Sequence, residues 1–210
     1  MALSGESRER MQQEDGRSEG TPRKSLDASR KGGERRGILR FCPHRYVRSV
    51  LDIAPQELWE RGFKGVILDL DNTLVRWQKE EIEAEMANWI EGLKQLGIRI
   101  CLLSNSLRTG RSQRIARRFG IEAVGWARKP SRSGFRRALE ALGTSPAETV
   151  IIGDQMFTDI FGGNRMGLYT IMVQPLHPHE FLYTRFVSRP PERLLLWYFR
   201  RRGHLKEARL

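Results

Sequence analysis

The chain has few of the residues that build metal clips and covalent staples. Of its 210 residues only Cys42 and Cys101 are cysteines and only four are histidines. No CxxC pair occurs, which excludes the usual zinc patterns and a disulfide framework and fits a reducing compartment. His177-Pro178-His179 reads as a proline-fixed loop with no further ligand nearby. Long apolar runs are also missing. The stretch Leu194 to Phe199 is far shorter than the roughly 20 residues a membrane-spanning helix needs. Residues 1–37 hold Leu3 and Leu26 but no aromatic and no periodic apolar face, so they cannot bury enough surface to offset chain entropy. They are expected to form a disordered tail. The tail has no apolar h-region and mixes acidic with basic residues, unlike a transit peptide, so a cytoplasmic location with at most peripheral membrane contact is expected.

Acidic residues are in deficit. Lys and Arg number 37 against 25 Asp and Glu, a formal charge of +12. Residues 1–37 hold nine basic and seven acidic residues, so the rest of the chain carries most of the excess. Such a surface attracts phosphates of lipids, nucleic acids or small anions, and composition does not choose among them.

What is present is an alternation. Short β-rich apolar runs at Val66 to Leu70, Arg99 to Leu103, Glu122 to Trp126, Thr149 to Ile152 and Leu168 to Val173 are mostly apolar without interruption, as strands of a parallel sheet covered on both faces must be. Between them Ile82, Met86, Trp89, Ile90, Leu93 and Leu96 recur at helical spacing before Gly97. Further helices are expected from Thr109 to Phe119 and from Ser133 to Leu142, stopping at Gly120 and Gly143. Ser145-Pro146-Ala147-Glu148 has the form of a capping box opening a short turn. The lead-in 41–64 reads as one or two short helices. These elements predict an α/β fold: a Rossmann-like three-layer sandwich around a mainly parallel sheet. One domain over 38–203 is expected, with tails at 1–37 and 204–210.

The chemistry-bearing segment begins where the run GVILDL meets DNTLV. Asp69 ends a buried strand and Asp71 follows two residues on, and ligands of open α/β sheets bind beyond strand carboxyl ends. Two carboxylates so close repel unless a cation lies between them, which predicts a hard divalent metal such as Mg²⁺.

The run Asp69-Leu70-Asp71-Asn72-Thr73 resembles the first motif of the haloacid dehalogenase superfamily. Leu102-Leu103-Ser104-Asn105, Arg128-Lys129-Pro130 and Ile152-Gly153-Asp154-Gln155 with Thr158-Asp159 resemble the second, third and fourth, in order and each at a predicted strand end. NTLVRW at 72–77, ARKP at 127–130 and GDQMFTDIFGGNRMG at 153–167 are similar to the YqeG-type branch, related to mitochondrial phosphatidylglycerophosphate phosphatases. The resemblance implies a Mg²⁺-dependent phosphatase with Asp69 as nucleophile, Asp71 as general acid and base, and Ser104 and Lys129 steadying the transferred phosphoryl group. It implies metal binding by Asp69, Asp71, Asp154 and Asp159, and contact with the substrate phosphate by Thr73, Ser104, Asn105 and Lys129. The substrate it implies is a phosphate monoester on a lipid headgroup.

Residues 74–103 and 105–128 leave no room for a cap domain, so an open site that accepts a bulky carrier is expected. Tyr183 to Gly203 combines arginines with LLLWYF, a helix that could rest on an anionic membrane surface or dock Leu195, Trp197 and Phe199 on the core. Soluble esters or phosphoproteins are the alternative substrates. A further alternative is a basic RNA- or ribosome-binding module, motivated by Arg108, Arg111, Arg114, Arg117 and Arg118, although nucleic acid is disfavoured by the lack of aromatic platforms among them.

Overall fold

A computed structural model describes residues 35–74, 82–106, 109–176 and 189–205. Tail residues 1–34, the 177–179 loop, Arg108 and Arg185 lie outside the described residues. Six strands form one sheet: β1 (Arg45–Val47), β2 (Gly65–Leu68), β3 (Arg99–Leu103), β4 (Glu122–Val124), β5 (Thr149–Gly153) and β6 (Tyr169–Val173). Their order is β1-β6-β5-β2-β3-β4 and every pairing is parallel. The chain steps outward from β2 to β3 and β4, then returns to place β5 on the other side of β2. The strand order therefore reverses between β2 and β5, and the crevice beyond their carboxyl ends is the ligand position of such sheets.

Alternation along each strand divides the core in two. Val66, Leu68, Ile100, Leu102, Val150 and Ile152 face α2 (Ala84–Gln95), which covers them with Met86, Trp89, Ile90 and Leu93. Ile67, Cys101, Leu103 and Ile151 face the other way, against Phe135, Ala138, Leu139 and Leu142 of α4 (Arg132–Leu142). Helices on both faces make the expected three-layer sandwich. Trp89 is held in place by its indole N–H, which donates to the Ile53 carbonyl at 2.6 Å. Gly97, Gly120 and Gly143 take left-handed φ values at the helix stops the sequence predicts.

Two elements differ from the sequence reading, and a third takes one of the two placements it left open. The lead-in holds α1 (Pro55–Glu60) but also β1, a three-residue edge strand too short to leave an apolar run. The fourth strand ends at Val124 rather than Trp126, because Trp126 has φ 46° and cannot continue a ladder. The C-terminal helix α6 (Arg189–Arg201) docks by Leu196 and Phe199 against Cys42, Met156, Ile160 and Met172, whereas Trp197 is exposed.

A buried polar network joins the lead-in to the far side of the sheet. Asn164, in α5 (Phe161–Arg165), donates to the carbonyls of Arg40 and Cys42 at 2.7 and 3.0 Å and accepts from the Thr170 hydroxyl at 3.1 Å. The same network reaches His44, whose Nδ1 lies 3.1 Å from the Thr170 backbone nitrogen and 2.9 Å from the Thr170 hydroxyl oxygen. Burial, with Arg35 and Arg61 adding repulsion, pushes the His44 pKa from 6.5 down to about 3. The unfolded chain therefore binds a proton here that the folded chain refuses. Stability from this residue is complete above pH 6.5 and falls as pH drops towards 3, by at most about 1.4 kcal/mol per pH unit. Between pH 7 and 4.5, urea unfolding should show a smaller loss of stability for His44→Gln than for the unaltered chain.

Candidate active site

At the crevice the sheet delivers carboxylates from two neighbouring strands. Asp69 directly follows β2 and its backbone N–H still donates to the Ile152 carbonyl of β5 at 2.9 Å, which fixes where its side chain emerges. Asp154 directly follows β5, and Asp159 sits in a π-helical turn, Met156–Ile160. All three are buried, and one oxygen of each lies within 4.8 Å of the others.

The turn closes on itself because of a glycine. A Cβ on Gly153 would stand 2.4 Å from Cγ of Asp159, so only glycine lets that carboxylate fold back over the strand end. Asp159 Oδ2 then accepts the Gln155 N–H at 3.1 Å. Gly163 plays the same part for α5, where a Cβ would stand 2.4 Å from the Ile151 side chain.

Lys129 is the counter-charge. Its ammonium, almost wholly buried, contacts Asp69 Oδ1 and lies 2.7 Å from Asp159 Oδ1. Burial alone would lower its pKa, but the carboxylates of Asp159 and Asp69 outweigh burial and hold it above the ordinary value. Burial likewise pushes the Asp69 carboxyl up to about 7, with Lys129 pulling it down and Asp159 and Asp71 pushing it further up. Three carboxylates against one ammonium leave excess negative charge in a buried space. An all-oxygen donor set with that excess fits a hard divalent cation.

The remaining expected residues surround this group. Thr73 and Asn72 lie in the turn after Asp69, both buried, and the Thr73 hydroxyl and Asn72 Oδ1 have no hydrogen-bond partner among the described residues. Asn72 takes φ 61°, and its carbonyl accepts the Leu176 N–H at 2.9 Å. Ser104 follows β3, is buried, and accepts the Ser106 N–H at 3.1 Å. Asn105, expected beside the substrate phosphate, applies its amide to the backbone of Lys129, accepting from its N–H at 2.6 Å and donating to its carbonyl at 3.0 Å. Asp71 stands outside the three-carboxylate group and is less deeply buried, its Oδ1 2.5 Å from Nη1 of Arg111.

Arg111 was not anticipated here. The sequence reading grouped it with the arginines that motivate a nucleic-acid-binding alternative, yet in α3 (Thr109–Phe119) it is buried and pairs with Asp71. The available signal was its position in the first turn of the helix that follows the Ser104 strand, at the carboxyl edge of the sheet. Glu192 was also missed: it is buried in α6 and accepts the Met156 N–H at 2.9 Å, joining the C-terminal helix to the acidic turn.

Comparisons with known proteins show what the chain is similar to. A family model described as haloacid dehalogenase-like hydrolase matches residues 77–167. The chain is 37% identical over 166 residues to the probable phosphatase YqeG of Bacillus subtilis, an alignment covering 79% of this chain and 95% of that one. It is 29% identical over 167 residues to phosphatidylglycerophosphate phosphatase 1, chloroplastic/mitochondrial, of Arabidopsis thaliana, covering 76% of this chain and 47% of the plant protein. A solved structure of a protein from Listeria monocytogenes serotype 4b shares 24% identity, with 65% of this chain and 99% of that one covered and a TM-score of 0.46.

The packing at Gly153 provides a test. Gly153→Ala should displace the Asp159 carboxylate and lower phosphatase turnover by about 100-fold, the cost of misplacing an active-site group by roughly 1 Å. Steady-state kinetics alongside a circular-dichroism melt would check this, with the native spectrum expected to persist.

Proposed function

The chain belongs to the haloacid dehalogenase-like hydrolases, on the branch that includes the YqeG phosphatase, and from that premise we propose a Mg²⁺-dependent phosphatase acting through an aspartyl-phosphate on a lipid-borne phosphate monoester. The observation that carries the proposal is the convergence of the Asp69, Asp154 and Asp159 carboxylates in one buried group, with the Lys129 ammonium paired to Asp69 and Asp159.

In the first step an oxygen of Asp69 forms a bond to phosphorus as the bond to the leaving oxygen breaks, and Asp71 delivers a proton to that oxygen. In the second, water bonds to phosphorus, the aspartyl bond breaks, and Asp71 takes the water's proton. Arg111 fixes the direction of the Asp71 carboxylate during both. Lys129, Thr73 and Ser104 stabilise charge on the phosphoryl oxygens, the electrostatic contribution that dominates such transfers. Asp69, Asp154 and Asp159 would hold Mg²⁺, with Asp71 contributing beside them. Bound there, the ion would offset the repulsion among the carboxylates and the phosphate.

Two observations support the lipid substrate. The plant relative is named for phosphatidylglycerophosphate, although the chain spans about half of that protein's length. Among the described residues, nothing larger than one helix separates β2 from β3 or β3 from β4, so the crevice is not roofed by a second domain. No described helix is long and apolar enough to cross a membrane. Peripheral contact would fall to the outer face of α6, where Leu194 and Trp197 are exposed beside arginines. The RNA-binding alternative loses support because Arg111, central to its arginine face, is buried against Asp71.

Purified protein should release phosphate from phosphatidylglycerophosphate in vesicles faster than from a panel of soluble esters, with activity abolished by chelator and restored by Mg²⁺. Preference for a soluble ester would reject the lipid assignment. Asp69→Asn should lower turnover at least 1,000-fold, since an amide is no nucleophile, and acid-quenched enzyme should carry labelled phosphate only when Asp69 is intact.

A further inference from the structure

The segment that carries Lys129 is strained. Trp126 and Arg128 both take left-handed backbone conformations, with φ of 46° and 54°. Bulky residues avoid this region, and glycine would enter it freely. Such conformations persist where the surroundings over-determine the backbone, and here they do. The Ala127 N–H donates to the Ser104 carbonyl at 2.9 Å, and the Ser131 N–H donates to that of Arg128 at 2.8 Å. Arg137 donates to the Trp126 carbonyl at 3.1 Å, and Asn105 holds both backbone groups of Lys129. A Cβ on Gly134 would stand 2.3 Å from the Ala127 carbonyl oxygen, so α4 presses directly on the segment.

The result is strict alternation. Ala127 and Lys129 are buried, while Trp126, 53% exposed, and Arg128 project outward. Among the described residues Arg128 has no ion pair or hydrogen bond for its guanidinium, and the Trp126 indole has no ring or cation partner. An exposed cation and a half-exposed flat apolar surface, both on clamped backbone, thus flank the residue whose ammonium touches Asp69.

Resting on the phosphatase reading above, we propose that Trp126 and Arg128 form a leaving-group subsite in which the guanidinium pairs with a phosphodiester carried by the substrate and the indole covers the carbon skeleton beside it. A guanidinium matches two phosphate oxygens at once, which a lysine ammonium cannot do. The diester could belong to a membrane lipid or to its water-soluble, deacylated counterpart, and the shared chemistry is a phosphomonoester linked through a short polyol to a phosphodiester.

The test compares p-nitrophenyl phosphate, deacylated glycerophosphoglycerol phosphate, and phosphatidylglycerophosphate in phosphatidylcholine vesicles. Arg128→Gly should raise KM about 10- to 100-fold for both diester substrates, leave p-nitrophenyl phosphate within about 2-fold, and melt no lower than the unaltered chain because glycine relieves the strain. Arg128→Lys should recover little of the loss. Trp126→Gly should follow the same pattern with a smaller effect. Equal losses on all three substrates, or no loss, would overturn the subsite, as would a loss confined to vesicles, which would place Arg128 on the membrane rather than on the diester. If the unaltered protein hydrolyses p-nitrophenyl phosphate but does not favour either diester, the subsite fails while the phosphatase reading stands. Inactivity towards every ester would reject both.

Discussion

Three carboxylates and one ammonium enclosed together at the crossover of a parallel sheet form the constraint around which this molecule is arranged. Removing such ions from water costs several kcal/mol each, by rough estimate, and the cost is offset only where partners stand at contact distance. Asp69 and Asp154 obtain that placement from adjacent strands in register, since Leu68 pairs with Ile152 and the two aspartates emerge just beyond them. Asp159 obtains it from a turn that closes only over a glycine. Lys129 obtains it from a backbone clamped by Asn105. Each device is local and inexpensive, and each is useless without the others, because a carboxylate buried without its counter-charge would simply take up a proton.

The same constraint reaches beyond the crevice. The acidic turn is bonded to the buried Glu192 of α6, and α5, which continues from it, carries Asn164, whose amide ties the Arg40 and Cys42 carbonyls to Thr170. Phe41 stacks on Phe161 with ring centres 4.6 Å apart, which seats the lead-in on the same helix. Both ends of the described chain are therefore fastened to the segment 153–167. That segment positions the site and also closes the domain, so its density of glycine and polar residues reflects packing as much as chemistry.

What could be read from the sequence follows from the range of each interaction. Strands buried on both faces leave continuous apolar runs, which made β2, β3, β5 and β6 legible, while β4 was read from a shorter mixed run. β1 was not legible, because a three-residue edge strand with Arg45 and Tyr46 half-buried has no such signature. The four acidic, hydroxyl and lysine segments were legible through their resemblance to ordered motifs, three of them directly after a strand and that of Lys129 five residues beyond β4. Arg111 escaped because an arginine within an arginine-rich helix reads as surface, and only the three-dimensional approach of α3 to Asp71 turns it inward. The early end of β4 escaped for a different reason: Trp126 favours strands, and the clamp that forces its positive φ involves residues from three other segments.

The connections around the crevice bear on selectivity. Where a second domain covers such a crevice, that domain can read the substrate, but among the described elements no domain is inserted between the strands. The groups proposed to handle the phosphoryl are buried and would serve any monoester alike, so they would not distinguish one carrier from another. Discrimination must come from side chains at the rim, held stiffly enough that binding does not lose its gain to ordering them. A loop end that is mobile in solution would serve poorly. A strained, multiply clamped segment that carries Lys129 inward and larger side chains outward would suit the proposed subsite, because the bonds that fix the Lys129 backbone also fix the backbone of its neighbours.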